Sequence, residues 1–131
     1  MTVTLNVNAS TANVITNENV DTYCNFGQTS GTNEDFLITV NTGETITWEG
    51  EATPSSVNVN ITKIVYEGGN NIFGGNGTVN GNGDTIKEKV IANVPSNAGG
   101  DNETYKIFFT VSNQRGVLNI DPKISVRPPT T

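Results

Sequence analysis

Histidine is absent from this chain, and cysteine, methionine and tryptophan occur once each, as Cys24, Met1 and Trp48. Without histidine, the side chain that ordinarily moves protons near neutral pH is missing, and so are the nucleophile–base pairs built on it. A single cysteine excludes an intrachain disulfide, which favours a reducing compartment while leaving an exterior one open. Basic residues are also scarce: seven Lys and Arg stand against thirteen Asp and Glu, for a formal net charge of −6. They are scattered, so no nucleic-acid partner is expected, because phosphate binding depends on clustered cations that release counterions. Nowhere do apolar residues approach the ~18 in succession that a membrane span needs, and no basic segment followed by an apolar one opens the chain. The expected location is therefore inside the cell, or outside it after a leader has been removed.

What the chain does contain is asparagine, threonine and glycine. Apolar residues make up 34% of it, against about 45–50% in a typical domain on a count that includes glycine. Asn and Gly tolerate positive φ, and β-branched Thr suits a half-exposed pleated surface, so the composition is that of sheets and turns. The 131 residues fit one domain, residues 1–131, large enough to bury roughly two thirds of the surface of the unfolded chain.

The organising stretch is Gly43-Glu44-Thr45-Ile46-Thr47-Trp48-Glu49-Gly50. Ile46 and Trp48 share one face of a strand while Thr45, Thr47 and Glu49 share the other, because successive side chains alternate. This makes Trp48 a core residue holding two sheets together. The same alternation predicts strands at residues 2–8, with Val3, Leu5 and Val7 on one face, and at 34–41, with Phe36, Ile38 and Val40. Shorter segments are expected at 13–16 and 20–24. Residues 41–43 are expected to form a hairpin turn into the Trp48 strand, and 49–56 a polar loop.

Residues 57–67 alternate through Val57, Val59 and Ile61 and then change phase to Ile64 and Tyr66. A β-bulge near Thr62 and Lys63 accounts for this, since one extra residue flips the inward set. A Gly- and Asn-rich loop spans 68–84, where Asn80-Gly81 or Asn82-Gly83 suits a type I′ turn. Residues 85–94 read as a strand, although Ile86, Val90 and Ile91 also have helical spacing. Residues 103–112 form a strand with Tyr105, Ile107, Phe109 and Val111 inward. The turn at 113–116 leads to Val117-Leu118-Asn119-Ile120, and Pro122, which lacks an N–H, breaks the pairing before Ile124 and Val126. Eight or nine strands with no firm helix predict an all-β fold, a single antiparallel β-sandwich of Greek-key type.

The stretch from Gly43 to Trp48, beginning in glycine and ending in an aromatic, resembles a strand of cupredoxin-like sandwiches, as does, loosely, the final hairpin from Tyr105 to Val126. Immunoglobulin-like domains share the pattern. The resemblance implies a two-sheet sandwich. It does not extend to copper, because cupredoxin sites need His and Cys ligands, commonly with an axial Met, and here Cys24 lies far from the last hairpin. The strings Glu67-Gly68-Gly69-Asn70-Asn71-Ile72-Phe73-Gly74 and Ile120-Asp121-Pro122-Lys123-Ile124 are also similar to segments of small bacterial sandwich proteins.

Three kinds of chemistry are open to these residues. Glu49 and Glu51 flank Gly50 and could act as a carboxylate pair of the kind that cleaves glycosidic bonds, which need two acids ~5–9.5 Å apart; the competing reading is two solvated acids. Calcium takes oxygen ligands, and Asn76, Asn80, Asn82 and Asp84 offer them, but their spacing matches no calcium-loop pattern and a turn-rich loop explains them. Carbohydrate binding would use aromatic faces beside amides and acids, with Tyr23, Phe26, Tyr66 and Phe73 as candidates and Glu49 and Glu51 alongside. A fourth possibility is assembly, in which Val3, Leu5 and Val7 fill alternate pockets of a neighbouring sheet. The sequence favours a non-enzymatic structural subunit without cofactor that self-associates through its first strand. A carbohydrate-binding or calcium-assisted adhesive module is the alternative.

Overall fold

The computed structural model describes residues 1–10, 14–68, 77–84, 86–95 and 99–127. Among these, strands β1 (Thr2–Asn8), β2 (Cys24–Asn25), β4 (Thr45–Thr53) and β7 (Val90–Asn93) form one sheet in the order β2-β1-β4-β7. A second sheet runs β3 (Leu37–Asn41), β10 (Lys123–Arg127), β8 (Gly100–Val111), β5 (Val59–Gly68) and β6 (Thr78–Asn80), with β9 (Leu118–Ile120) also paired to β8. One helical turn, α1 (Val20–Tyr23), precedes β2.

Alternation builds the core as expected. Val3, Leu5 and Val7 of β1 join Ile46 and Trp48 of β4 and Val90 of β7 in one buried cluster. The second sheet adds Ile61, Ile64, Tyr105, Ile107, Phe109 and Ile124. Trp48, 1% exposed, meets Tyr105 of the other sheet edge-on, with ring centroids 5.8 Å apart and planes at 63°. The Trp48 Nε1–H donates to the Tyr105 hydroxyl at 3.2 Å. Edge-to-face pairs of this kind add about 0.5–1.5 kcal/mol beyond area burial, so the single tryptophan links the sheets rather than facing solvent.

Gly50 continues the core-facing row of β4. A Cβ built there would lie 2.3 Å from Cγ1 and 2.7 Å from Cβ of Val59, so glycine permits β4 to pass against β5. The bulge foreseen in β5 is present: Ile61 pairs with Phe109 and Lys63 with Phe108, leaving Thr62 as the extra residue. The Thr62 hydroxyl donates to the Phe108 carbonyl at 3.1 Å. Both Ile61 and Ile64 are thereby turned inward and fully buried.

Several expectations need correcting. The sheets are mixed rather than antiparallel, since β1 runs parallel to β4 and β3 parallel to β10. Residues 41–43 do not close a hairpin but carry the chain from one sheet to the other. There Thr42 N–H donates to Arg127 O at 3.2 Å and Gly43 N–H to Val94 O at 2.9 Å, with Gly43 at φ +82°. β4 runs on to Thr53, replacing the polar loop expected from residue 49, because β1 supplies partners as far as Asn8 opposite Thr53.

Residues 20–24 form a helical turn and then a short strand. Asn19 organises this entry: its Oδ1 accepts from Thr16 N–H at 2.7 Å, and its Nδ2 donates to Val14 O at 2.8 Å. Buried Val20 and Cys24 stand four residues apart, a helical spacing. In 68–84, Thr78 to Asn80 pair with β5. Gly81 is not in the left-handed region, which excludes a type I′ turn at 80–81, whereas Gly83 has φ +78°. In 85–94, strand structure begins only at Val90.

Candidate functional site

A cleft of about 560 Å³ opens around the loop that follows α1, lined by Asp21, Asn25, Gln28, Ser30, Thr32 and Glu34, among others. Its floor is organised by buried Asn33. The Asn33 Nδ2 donates to Cys24 O at 2.8 Å and to Asp21 Oδ1 at 3.1 Å, while its Oδ1 accepts from Gln28 Nε2 at 2.9 Å. Gln28 Oε1 in turn accepts from Phe26 N–H at 2.7 Å, and Asn25 Oδ1 from Gly27 N–H at 2.9 Å. Beneath this loop Phe26 stacks on Phe36 with centroids 4.6 Å apart and planes at 11°. The loop thus orders itself through its own amides. It offers an open, polar surface with hydroxyls and two carboxylates and no cationic side chain in its lining, which suits a neutral polyhydroxyl ligand better than an anion.

Cys24 borders the cleft, and burial, followed by the Asp21 carboxylate, pushes its thiol up from 9.0 to about 12. It stays protonated, and a protonated thiol is not a nucleophile. Burial likewise pushes the Tyr105 hydroxyl well above its ordinary range, opposed by its hydrogen bond with Trp48. Outside the cleft lining, the Lys123 ammonium lies 3.1 Å from Asp35. Together with a hydrogen bond from Thr32, it holds the Asp35 carboxyl below its usual range.

The residues singled out by sequence are dispersed. Val3, Leu5 and Val7 are buried at 4%, 1% and 2% exposure, in a strand paired on one side along its length with β4 and on the other with β2. The first strand is therefore seated in its own domain rather than free. Glu49 and Glu51 project from the outer face of β4, the first half-buried and the second exposed. Thr4 and Asn6 of β1 lie beside them in register, giving a face of hydroxyls, amides and acids. Glu51 also borders a groove of about 280 Å³ shared with Ser55 and Lys87.

Of the calcium candidates, Asn76 lies outside the described residues, as does Phe73. Asn82 Oδ1 accepts from Asp84 N–H at 3.1 Å, and Asp84 Oδ1 from Ile86 N–H at 2.8 Å and Lys87 N–H at 3.2 Å. Those bonds hold the exposed Asp84 carboxyl below its usual range. The oxygens are committed to shaping the turn, and no group of three or more acidic, Cys or His side chains that could hold a metal ion occurs among the described residues. Tyr66 and Tyr23 are half-buried and Phe26 is buried, so these three do not form one exposed aromatic platform.

Two features escaped sequence reasoning. One is the Asn33-centred cleft, whose only signal is the loop composition of Gly27-Gln28-Thr29-Ser30-Gly31-Thr32-Asn33. The other is the edge of β3. Lys123 N–H donates to Phe36 O at 2.9 Å and Thr42 N–H to Arg127 O at 3.2 Å. By the two-residue period, the backbone groups of Leu37 and Thr39 therefore point away from β10. β3 ends its sheet, Leu37 is 42% exposed, and such an edge is a template for another strand. Buried Glu103 leaves its Oε2 without a hydrogen-bond donor among the described residues.

No protein-family model matches the chain, and no curated protein matches it. Its fold is similar to that of the crystallised inclusion body protein PixA from Burkholderia cenocepacia, at 10% sequence identity and a TM-score of 0.53, over 98% of this chain and 94% of that one.

Proposed function

We propose that the protein is a non-enzymatic structural subunit that self-associates, built as a single β-sandwich of cupredoxin-like or immunoglobulin-like Greek-key form. The observation that carries this reading is the likeness of fold to an inclusion body protein over nearly the whole of both chains. The two mixed sheets around one core support the sandwich description. For the contact itself, β3 is the better route. Its outward N–H and C=O groups at Leu37 and Thr39 are positioned to add a strand from a second copy, whereas β1 would have to leave its own core and exchange between copies. The net charge of −6 opposes association at low salt and relaxes toward the sequence pI of about 4.4, so assembly is promoted by salt and by mild acid.

The test is Thr39→Pro compared with the unaltered chain by light scattering. Proline at an edge strand with its N–H turned outward is tolerated by the fold but removes a donor that a second copy needs. Loss of assembly with unchanged circular dichroism supports the edge contact, and equal assembly sinks it. The second reading is carbohydrate binding, favoured by the cation-free polar cleft at residues 21–34. Shifts of the Gln28 and Asn33 amide signals on adding a neutral oligosaccharide support it, and an unchanged spectrum removes it.

A further inference from the structure

Asparagine is followed directly by glycine at 76–77, 80–81 and 82–83. Glycine leaves the backbone nitrogen open to the preceding side-chain carbonyl, because no Cβ stands in the way. Asn76 lies outside the described residues. The other two pairs run from the last residue of β6 into the connection to β7 and are held in different ways. The Gly81 N–H donates to the backbone carbonyl of Thr62 at 2.8 Å, tied to the bulge of β5. The Gly83 N–H donates instead to Glu88 Oε2 at 2.9 Å, and a carboxylate can accept a proton where an amide carbonyl cannot.

The electrophile at this second pair is also prepared. Asn82 Oδ1 accepts the N–H of Asp84 at 3.1 Å and, more weakly, that of Lys89 at 3.4 Å. Two backbone donors on one carbonyl oxygen polarise it and stabilise the negative charge that develops on attack, as an oxyanion hole does. The Asn82 N–H is itself anchored to Lys89 O at 2.9 Å, which fixes the backbone around the reacting atoms. Asn82 and Gly83 are exposed, so water can enter and a small product can leave.

We propose that Asn82 is a self-modifying residue, losing its side-chain amide by attack of the Gly83 nitrogen with Glu88 as proton acceptor. The bond from Gly83 N to Asn82 Cγ forms and the Cγ–Nδ2 bond breaks. The proton from Gly83 N–H passes by way of Glu88 to the departing nitrogen, which leaves as ammonia. No electrons are transferred to or from the chain. Water then opens the five-membered imide at either carbonyl, giving aspartate or isoaspartate at position 82. One new carboxylate appears beside Asp84 and Glu88, and the isoaspartate product inserts a methylene into the connection between β6 and β7.

Asn80 serves as the control: the Glu88 carboxylate also lies against Gly81, but the Gly81 N–H is committed to the Thr62 carbonyl and does not donate to it. The experiment incubates the whole chain near neutral pH, folded or unfolded in urea, and follows the gain of about 1 Da at each position by peptide mass mapping. In the folded chain Asn82 is expected to react at least about tenfold faster than Asn80, and in urea the two to agree within about threefold. Glu88→Gln keeps an oxygen for the Gly83 N–H but removes the base, and is expected to slow Asn82 at least about fivefold with an unchanged circular dichroism spectrum. Equal rates at the two asparagines in the folded chain overturn the proposal, as does an unchanged rate in a folded Glu88→Gln variant. Should that variant not fold, the comparison of folded with unfolded unaltered chain decides alone.

Discussion

Replacing Gly50 by alanine tests how the two sheets are fitted together. The new methyl group would sit 2.3 Å from Cγ1 and 2.7 Å from Cβ of Val59. Rotating the valine about χ1 moves Cγ1 away, but Cβ is fixed to the backbone of β5, so the strands themselves must part. Overpacking of this kind costs about 1–3 kcal/mol. Restricting the unfolded chain at a former glycine returns about 0.4–1 kcal/mol. A net loss of about 1–2 kcal/mol is therefore expected, read as a lower urea midpoint with an unchanged slope. Val59→Ala alone removes buried methyl groups and costs about 1–3 kcal/mol. Combining the two should cost less than their sum by about 1 kcal/mol, because alanine at 59 withdraws the nearer of the colliding atoms. Additivity to within about 0.3 kcal/mol, or an unperturbed Gly50→Ala, would refute the close approach of β4 and β5.

The remaining expectations concern the first strand, the thiol and the contacts between copies. Leu5→Ala, at a site 1% exposed, should lower stability by about 2–5 kcal/mol, and deleting residues 1–10 should abolish cooperative unfolding rather than release a folded monomer; an intact truncated domain would restore the donated-strand reading. At pH 8 Cys24 should alkylate on the order of a thousandfold more slowly in the folded chain than in urea, since its thiol is pushed up to about 12 from 9.0. Because the native state holds that proton more tightly, the associated stability is complete below about pH 9 and is lost as pH rises toward about 12. Rapid labelling of folded protein, or stability that does not fall over that interval, would count against the burial. Raising salt or approaching pH 4.4 should increase particle size for the unaltered chain more than for Thr39→Pro.

Much of the core was legible because alternation reports which side chains share a face. Val3, Leu5, Val7, Ile46, Trp48, Tyr105, Ile107 and Phe109 all point inward as their spacing requires. The change of phase between Ile61 and Ile64 located the bulge at Thr62, and Pro122 marked the break between β9 and β10. Partners are another matter, because alternation carries no information about which strand lies alongside. The parallel pairing of β1 with β4 therefore went unseen. So did the passage of Asn41, Thr42 and Gly43 between sheets, where a hairpin has the same turn residues. Val20 and Cys24 satisfy both a two-residue and a four-residue period, and the backbone bonds from Thr22 N–H to Asn19 O at 2.9 Å and from Cys24 N–H to Val20 O make the helical turn. The cleft was illegible for a similar reason: Asn33, Gln28 and Asp21 meet through a fold of the loop, not through a spacing.

Association of this chain with copies of itself is read out by sedimentation velocity on the untagged protein over a wide concentration range, with the largest species viewed by negative-stain microscopy. A distribution that shifts to larger species as concentration and salt rise, with ordered particles or filaments in the images, is the predicted result. A single monomeric species at every concentration and salt would contradict it.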